Sequence, residues 1–64
     1  MKTSASQEKH QELARAVRDA CIEAALEGYE SARISGLCHE GAWEAAVSAM
    51  RVLDLERVLK SERE

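Results

Sequence analysis

Hydrophobic and polar positions recur at helical spacing along the first half of the chain. When residues are placed at 100° intervals, one side of this segment is charged: Glu8, Glu12, Arg15, Asp19, Glu23, Glu27 and Glu30. The other side is apolar or small: His10, Leu13, Ala14, Val17, Ala20, Cys21, Ala24, Ala25, Gly28 and Ala32. A helix with one wide apolar stripe buries that stripe. The pattern predicts a long first helix that ends at about Ser35, with Ser4 or Ser6 as its N-cap.

Side-chain size divides the apolar surface of this helix into two parts. Between Ala20 and Ala32 the centre of the stripe is almost entirely Ala, Cys and Gly, so a second helix can approach closely. Bulkier side chains form a shoulder beside it: Ile22, Leu26 and Tyr29. Two apolar surfaces on one helix need two neighbours, and a short chain supplies only one easily. We therefore expect a homodimer that forms a helical bundle.

A helix stop and a helix start follow each other near the middle of the chain. Gly36 is typical of the left-handed residue just past a helix end, and Arg33 suits the negative end of the helix dipole. Leu37 is then expected to fold back onto the last turn. The second helix should begin near Cys38 or His39. So short a connection predicts two antiparallel neighbours, that is, a helical hairpin.

The second helix carries its own apolar face, and that face does not continue to the end of the chain. Its members are Ala42, Trp43, Ala46, Val47, Ala49, Met50 and Leu53, opposite Glu40, Glu44, Ser48 and Arg51. Val52, Leu55 and Leu59 lie more than a quarter turn away from the Trp43 side. We therefore favour a break near Leu53-Asp54 over one straight helix, with Asp54 as N-cap of a short third helix over Leu55–Lys60. Residues 1–6 and 61–64 are expected to fray.

Composition supports a single all-α domain of 64 residues without Pro or Phe. A chain of this size buries only about 60% of the surface that it exposes when unfolded, so it gains from a partner subunit. The formal net charge is −3 and there is no basic tract, which disfavours nucleic-acid binding. We find neither a signal-peptide-like N-terminus nor an apolar run of membrane-spanning length. The expected location is the cytoplasm, where both cysteines are expected to be free thiols.

Cys21, Cys38 and His39 are the only soft or nucleophilic candidates. On a continuous first helix Cys21 lies about 22 Å from the turn at 1.5 Å per residue, whereas a disulfide needs Cα atoms within about 7 Å, so a Cys21–Cys38 bridge contradicts the hairpin. Structural zinc takes four ligands, and His10 and Cys21 are far from the turn, so no metal site is predicted. Cys21 is expected in the core. Cys38 lies near a helix N-terminus, which lowers a thiol pKa and can make it reactive.

Catalysis is not predicted, and neither is a cofactor. A Cys-His pair needs an aligned imidazole and a pocket, but adjacent residues at a helix start point in different directions. The sequence has no Gly-rich phosphate loop, HExxH or GxSxG. We expect a non-enzymatic interaction or regulatory protein that acts as a homodimer. The alternatives are a redox- or metal-responsive module using Cys38 and His39, and a small nucleic-acid-binding or acidic mimic protein.

Trp43 is expected to anchor the core or the dimer interface, because tryptophan buries a large area while one end can stay in water. The alternative is a hot spot for a different protein. The residues expected to carry an interaction are Trp43, Ile22, Leu26, Tyr29 and Met50.

Two resemblances add to these expectations. The run from Gly36 to Ala46, with Leu53-Asp54-Leu55 after it and Arg18-Asp19-Ala20-Cys21 before it, resembles a group of very short, uncharacterised bacterial helical proteins. Some of them carry the name acetyltransferase. That activity is not expected here, because an acyl-CoA site needs a larger fold with a phosphate-cradling loop. The predicted architecture also resembles Rop-like helical hairpins, which dimerise into four-helix bundles. Rop-like RNA binding does not fit the acidic outer side of the first helix.

Overall fold

The computed structural model describes the backbone of residues 5–63 and the side chains of residues 8–62. This part of the chain folds into three α-helices, namely α1 (Ala5–Ile34), α2 (His39–Arg51) and α3 (Leu55–Arg63). The predicted all-helical fold and the predicted packing of the first helix against the second are confirmed. None of these helices is both long enough and apolar enough to cross a membrane.

The turn between α1 and α2 is a glycine-terminated helix stop, as predicted. Gly36 has a φ of 99°, in the region that favours glycine. The N–H of Leu37 donates to the carbonyl oxygen of Ala32, and the N–H of Gly36 donates to that of Arg33, both at 3.0 Å. These two bonds form a Schellman motif and satisfy carbonyls that the end of α1 leaves free. The guanidinium of Arg33 also reaches the Leu37 carbonyl oxygen at 3.4 Å.

The predicted break near Leu53-Asp54 is confirmed. Helix α2 ends at Arg51, and α3 begins at Leu55. Val52, Leu53 and Asp54 connect the two helices. The Asp54 carboxylate accepts a hydrogen bond from the backbone N–H of Arg57 at 3.3 Å, which is the capping bond expected of an N-cap aspartate. The predicted end of α3 at Lys60 is wrong, since the helix continues to Arg63. No glycine or proline interrupts it there.

The start of α1 also differs in part from the prediction. Ser6 lies inside α1, which the structure describes from Ala5 onward, so Ser6 is not the N-cap. The alternative cap, Ser4, lies outside the described residues. Helix α1 ends at Ile34, one residue before the predicted end at Ser35.

The interface between α1 and α2 is built from very small side chains. A Cβ placed on Gly28 would lie 3.0 Å from the Cβ of Ala49, so the two helices approach closely at this point. The buried hydrophobic residues of the described chain are Ala32, Ala42 and Ala46, and no large side chain there is fully buried. Helix α3 turns away from the axis of α2 and packs against α1.

The described Cα trace measures 51 × 25 × 14 Å. The Cα atoms of one straight helix span about 4.6 Å across its axis, so the helices are also offset or tilted relative to one another along the shortest dimension. The buried hydrophobic residues of the described chain are all alanines, because α1 and α2 meet through small side chains.

Some residues of the predicted apolar faces are exposed in the single chain. Trp43 was expected to anchor either the core or the dimer interface; it is 58% exposed, so it is not part of the core of the single chain, and its role at a dimer interface stays a prediction. His10 and Ala14 are exposed as well. Trp43 lies a quarter turn from the line of alanines that faces α1, and these helices approach too closely at Gly28 to admit an indole ring.

Candidate functional site

The sequence-predicted interaction residues come together on one broad face of the hairpin. Gly28 on α1 and the Ala45–Ala49 turn on α2 mark the line along which the two helices meet. At 100° per residue, Ile22, Leu26 and Tyr29 lie on one side of that line. On α2, Trp43 and Met50 lie on one side of the line through Ala42 and Ala46. We call these five residues the apolar face: Ile22, Leu26, Tyr29, Trp43 and Met50.

A contact across the two helices shows that both sets lie on the same face. The hydroxyl of Tyr29 is 2.7 Å from Nδ1 of His39, and the two rings meet edge to face with centroids 5.7 Å apart. His39 and Trp43 are four residues apart and are therefore neighbours on one side of α2. The Tyr29 side of α1 and the Trp43 side of α2 consequently face the same direction.

The apolar face is open to solvent in the single chain. Ile22 is 51% exposed, Leu26 is 59% exposed and Trp43 is 58% exposed, whereas Tyr29 and Met50 are half-buried. Exposed large apolar side chains are ordinary when they are scattered, but a contiguous group of them marks an interaction surface. Tryptophan and tyrosine are also the residues that contribute most energy at protein interfaces.

Cys38 occupies the N-cap position of α2 and is exposed. Its thiol makes no side-chain capping hydrogen bond. Nevertheless, the backbone N–H of Gly41, followed by that of Glu40, favours the thiolate and lowers the pKa of Cys38 below its ordinary value. Arg33 contributes in the same direction. Cys38 is therefore an exposed thiol at the turn, and the start of α2 favours its ionised form, whereas its predicted reactivity stays a prediction.

Cys21 belongs to a different environment. It is a half-buried residue on α1, and both cysteines are free. Its burial is only partial, so the prediction that it is a core residue is met in part. Among the described residues, no group of three or more His, Cys, Asp and Glu side chains is assembled in a way that could hold a metal ion. The ring of His39 is engaged by Tyr29.

A groove between α1 and α3 was not predicted from the sequence. It has a volume of about 620 Å³ and lies on the side of α1 away from the apolar face. Its lining includes Ala16, Ala20, Ala24, Leu53 and Val58 together with acidic side chains at the rim. The sequence does contain a signal for it, since Asp19, Glu23 and Glu27 recur every four residues directly before a small residue. Without the position of α3, the sequence pattern alone assigns that acidic row to a solvated face of α1.

A separate strip of exposed apolar residues runs from the end of α2 to α3. Val52, the C-cap of α2, is 79% exposed, whereas Leu55 and Leu59 of α3 are 51% and 36% exposed. As predicted, these residues do not continue the Trp43 face: Val52 lies on another side of α2, and Leu55 and Leu59 follow the bend at Leu53-Asp54. The strip therefore lies outside the apolar face and provides comparison positions for testing it.

Comparison of the chain with protein-family models, with curated proteins and with solved structures gives no match. The resemblance to short bacterial helical proteins, some named acetyltransferase, and that to Rop-like hairpins therefore stay predictions.

Proposed function

We propose that this protein is a non-enzymatic interaction protein that acts as a homodimer through its apolar face. The observation that carries the proposal is the contrast between core and surface. The buried hydrophobic residues among those that the structure describes are three alanines, while Trp43, Leu26 and Ile22 remain more than half exposed. Covering these side chains removes apolar surface from water, which is worth roughly 25 cal/mol per Å².

A second copy of the chain is the occupant that we favour for the apolar face. The buried hydrophobic residues of the described chain are only Ala32, Ala42 and Ala46, and a second copy can cover the exposed apolar side chains by symmetry. Stable interfaces cover about 800 Å² on each partner. A molecule whose Cα trace extends 51 by 25 Å has sides large enough for an interface of that size.

Sedimentation velocity at micromolar concentration tests the proposal. We expect the wild-type chain, whose mass is 7.1 kDa, to sediment as a species of twice that mass. Trp43→Ser and Leu26→Ser should shift it toward the monomer, because each places a hydroxyl where an apolar contact is needed. Val52→Ser is the matched control, since Val52 is an exposed apolar residue at the C-cap of α2 and lies outside the apolar face. A wild-type monomer, or an equal effect of Val52→Ser, contradicts the proposal.

Cys38 supports a second candidate function, a thiol-responsive module. Its exposure at a helix N-terminus and its lowered pKa favour reaction with oxidants. The test is thiol titration with and without peroxide or zinc, followed by measurement of mass, helicity and oligomeric state. A response that persists in Cys38→Ser, or no response in the wild-type chain, removes this candidate.

A further inference from the structure

We propose that the groove between α1 and α3 binds an amphipathic basic helix of a partner protein. This inference rests on the proposed interaction role but does not need the dimer. The groove and the apolar face lie on different sides of α1. Ala20 and Ala24 line the groove, whereas Tyr29 and His39 mark the opposite side of the α1–α2 line.

The floor of the groove has the form that a helix requires. Ala16, Ala20 and Ala24 lie four residues apart on α1 and form a continuous row of small side chains. Leu53 and Val58 provide an apolar wall on the other side. At 1.5 Å per residue, the stretch of α1 from Ala16 to Glu27 is about 17 Å long, or three helical turns. Amphipathic helices bind such grooves through apolar residues at successive turns.

The rim of the groove determines the charge of the partner. Five carboxylates and one guanidinium line the cavity: Asp19, Glu23, Glu27, Asp54, Glu62 and Arg57. Asp19 pairs with Arg18 at 3.1 Å, and Asp54 is used as the cap of α3. Within the described part of the chain, Glu23 and Glu27 form no ion pair. A partner with Lys or Arg beside its apolar face would complement these carboxylates.

The acidic row is unfavourable for the isolated chain. Asp19, Glu23 and Glu27 are separated by four residues, and like charges at that spacing destabilise a helix. A cationic partner relieves this repulsion, so its binding and the stability of α1 should be linked. A polycation without apolar side chains would pair with the carboxylates at the rim, but it would leave the row of alanines on the floor of the groove exposed to water. The groove therefore favours a helix with both a basic flank and an apolar face.

Fluorescence anisotropy with synthetic peptides tests the inference. The first probe is a labelled helix of about 18 residues, long enough to be helical alone, with Leu and Ala on one face and Lys on the flanks. In the second probe every Lys is Glu, and in the third every Leu and Ala is Ser. We expect the first peptide to bind the full chain. Each of the other two peptides should have an affinity at least about tenfold lower.

Charge-reversal variants locate the site. Glu23→Lys combined with Glu27→Lys should weaken binding of the first peptide about tenfold. Glu12→Lys combined with Glu30→Lys is the matched control, because both residues are exposed on α1, do not line the groove and change the net charge equally. The control pair should leave the affinity within about twofold, since distant exposed charges are screened.

The outcomes separate this inference from the proposed dimer. Sedimentation of the Glu23→Lys/Glu27→Lys variant should match that of the wild-type chain, because these residues lie outside the apolar face. Absence of binding by the wild-type chain, equal binding of the three peptides, or equal loss in both double variants would overturn the inference. Peptide binding by a monomeric wild-type chain would support the groove while contradicting the dimer.

Discussion

Gly28 on α1 lies directly against Ala49 on α2, and this pair determines how closely the two helices pack. A Cβ built on Gly28 would be 3.0 Å from the Cβ of Ala49 and 3.1 Å from the carbonyl oxygen of Ala45. Neither atom belongs to a flexible side chain, so only a shift of a whole helix would make room. The core depends on this close approach, because the short side chains of the buried alanines reach the facing helix only when the two helices lie close together.

Replacing Gly28 by alanine should therefore destabilise the fold. Overpacking costs about 1–3 kcal/mol, and the better helix propensity of alanine offsets about 1 kcal/mol of that. We expect a net loss of about 1 kcal/mol, measured as the free energy of unfolding in urea at one fixed protein concentration.

Gly41→Ala is the matched control for this experiment. A Cβ at Gly41 would meet the Cδ2 of Leu37 at 3.2 Å, the end of a flexible side chain that can move away. Here the propensity gain of up to about 1 kcal/mol should dominate. Opposite signs for the two substitutions are expected. Stabilisation by Gly28→Ala would show that the helices are not held at this distance.

Gly36→Ala should destabilise the hairpin through the backbone alone. Gly36 has a φ of 99°, and no atom lies within 4 Å of a Cβ built there, so crowding makes no contribution. Holding a non-glycine residue in such a region costs about 1–3 kcal/mol. Thermal unfolding followed by circular dichroism should show a lower midpoint for this variant. Ser35→Ala, one residue earlier, should have a much smaller effect, and equal effects would contradict the explanation.

The local features of the fold could be predicted because each depends on a few neighbouring residues. The stop at Gly36 and the start after Asp54 follow from backbone and capping chemistry that the residues themselves specify. The position of Trp43 could not be predicted in the same way. Helical periodicity identifies which side of α2 is apolar, but how far a neighbour covers that side depends on the separation of the helices. The small side chains near Gly28 bring α1 so close that Trp43 is left at the edge.

The groove could not be predicted for a related reason. Periodicity places Glu23 and Glu27 on a polar side of α1, and that is where they lie. Their surroundings depend on α3, whose direction is decided by the bend between Arg51 and Leu55. A change of direction over a few residues moves a distant helix by many ångströms, and one sequence contains no direct record of that angle.

Removing the cap of α3 should loosen that helix selectively. Asp54→Ala deletes the carboxylate that accepts the Arg57 N–H, and the loss of an N-cap typically costs about 1 kcal/mol. Amide hydrogen exchange of Val58 and Leu59 should become about fivefold faster, with little change at Ala42 and Ala46. Asp54→Asn keeps an acceptor oxygen and should behave almost as the wild-type chain does. Uniform acceleration in all three helices would show that α3 does not open independently.

Cys38 should ionise at a lower pH in the folded chain than in the unfolded one. The N–H groups of Gly41 and Glu40 lower the pKa of its thiol in the folded state, and unfolding removes them. In a Cys21→Ser background, alkylation of Cys38 by iodoacetamide should therefore reach half its maximal rate at a lower pH in buffer than in urea. This comparison uses one thiol, so differences in burial between Cys21 and Cys38 do not affect the measured pH midpoint.

The same shift predicts a direction for stability. Because the pKa of Cys38 is lower in the folded state, the thiolate stabilises the fold above the unfolded-state pKa, and this contribution is lost as pH falls through the folded-state pKa. The free energy of unfolding should therefore rise more with pH across that range in Cys21→Ser than in Cys21→Ser/Cys38→Ser. Identical pH profiles for the two proteins, or an alkylation midpoint that is unchanged by urea, would show that the start of α2 does not favour the thiolate.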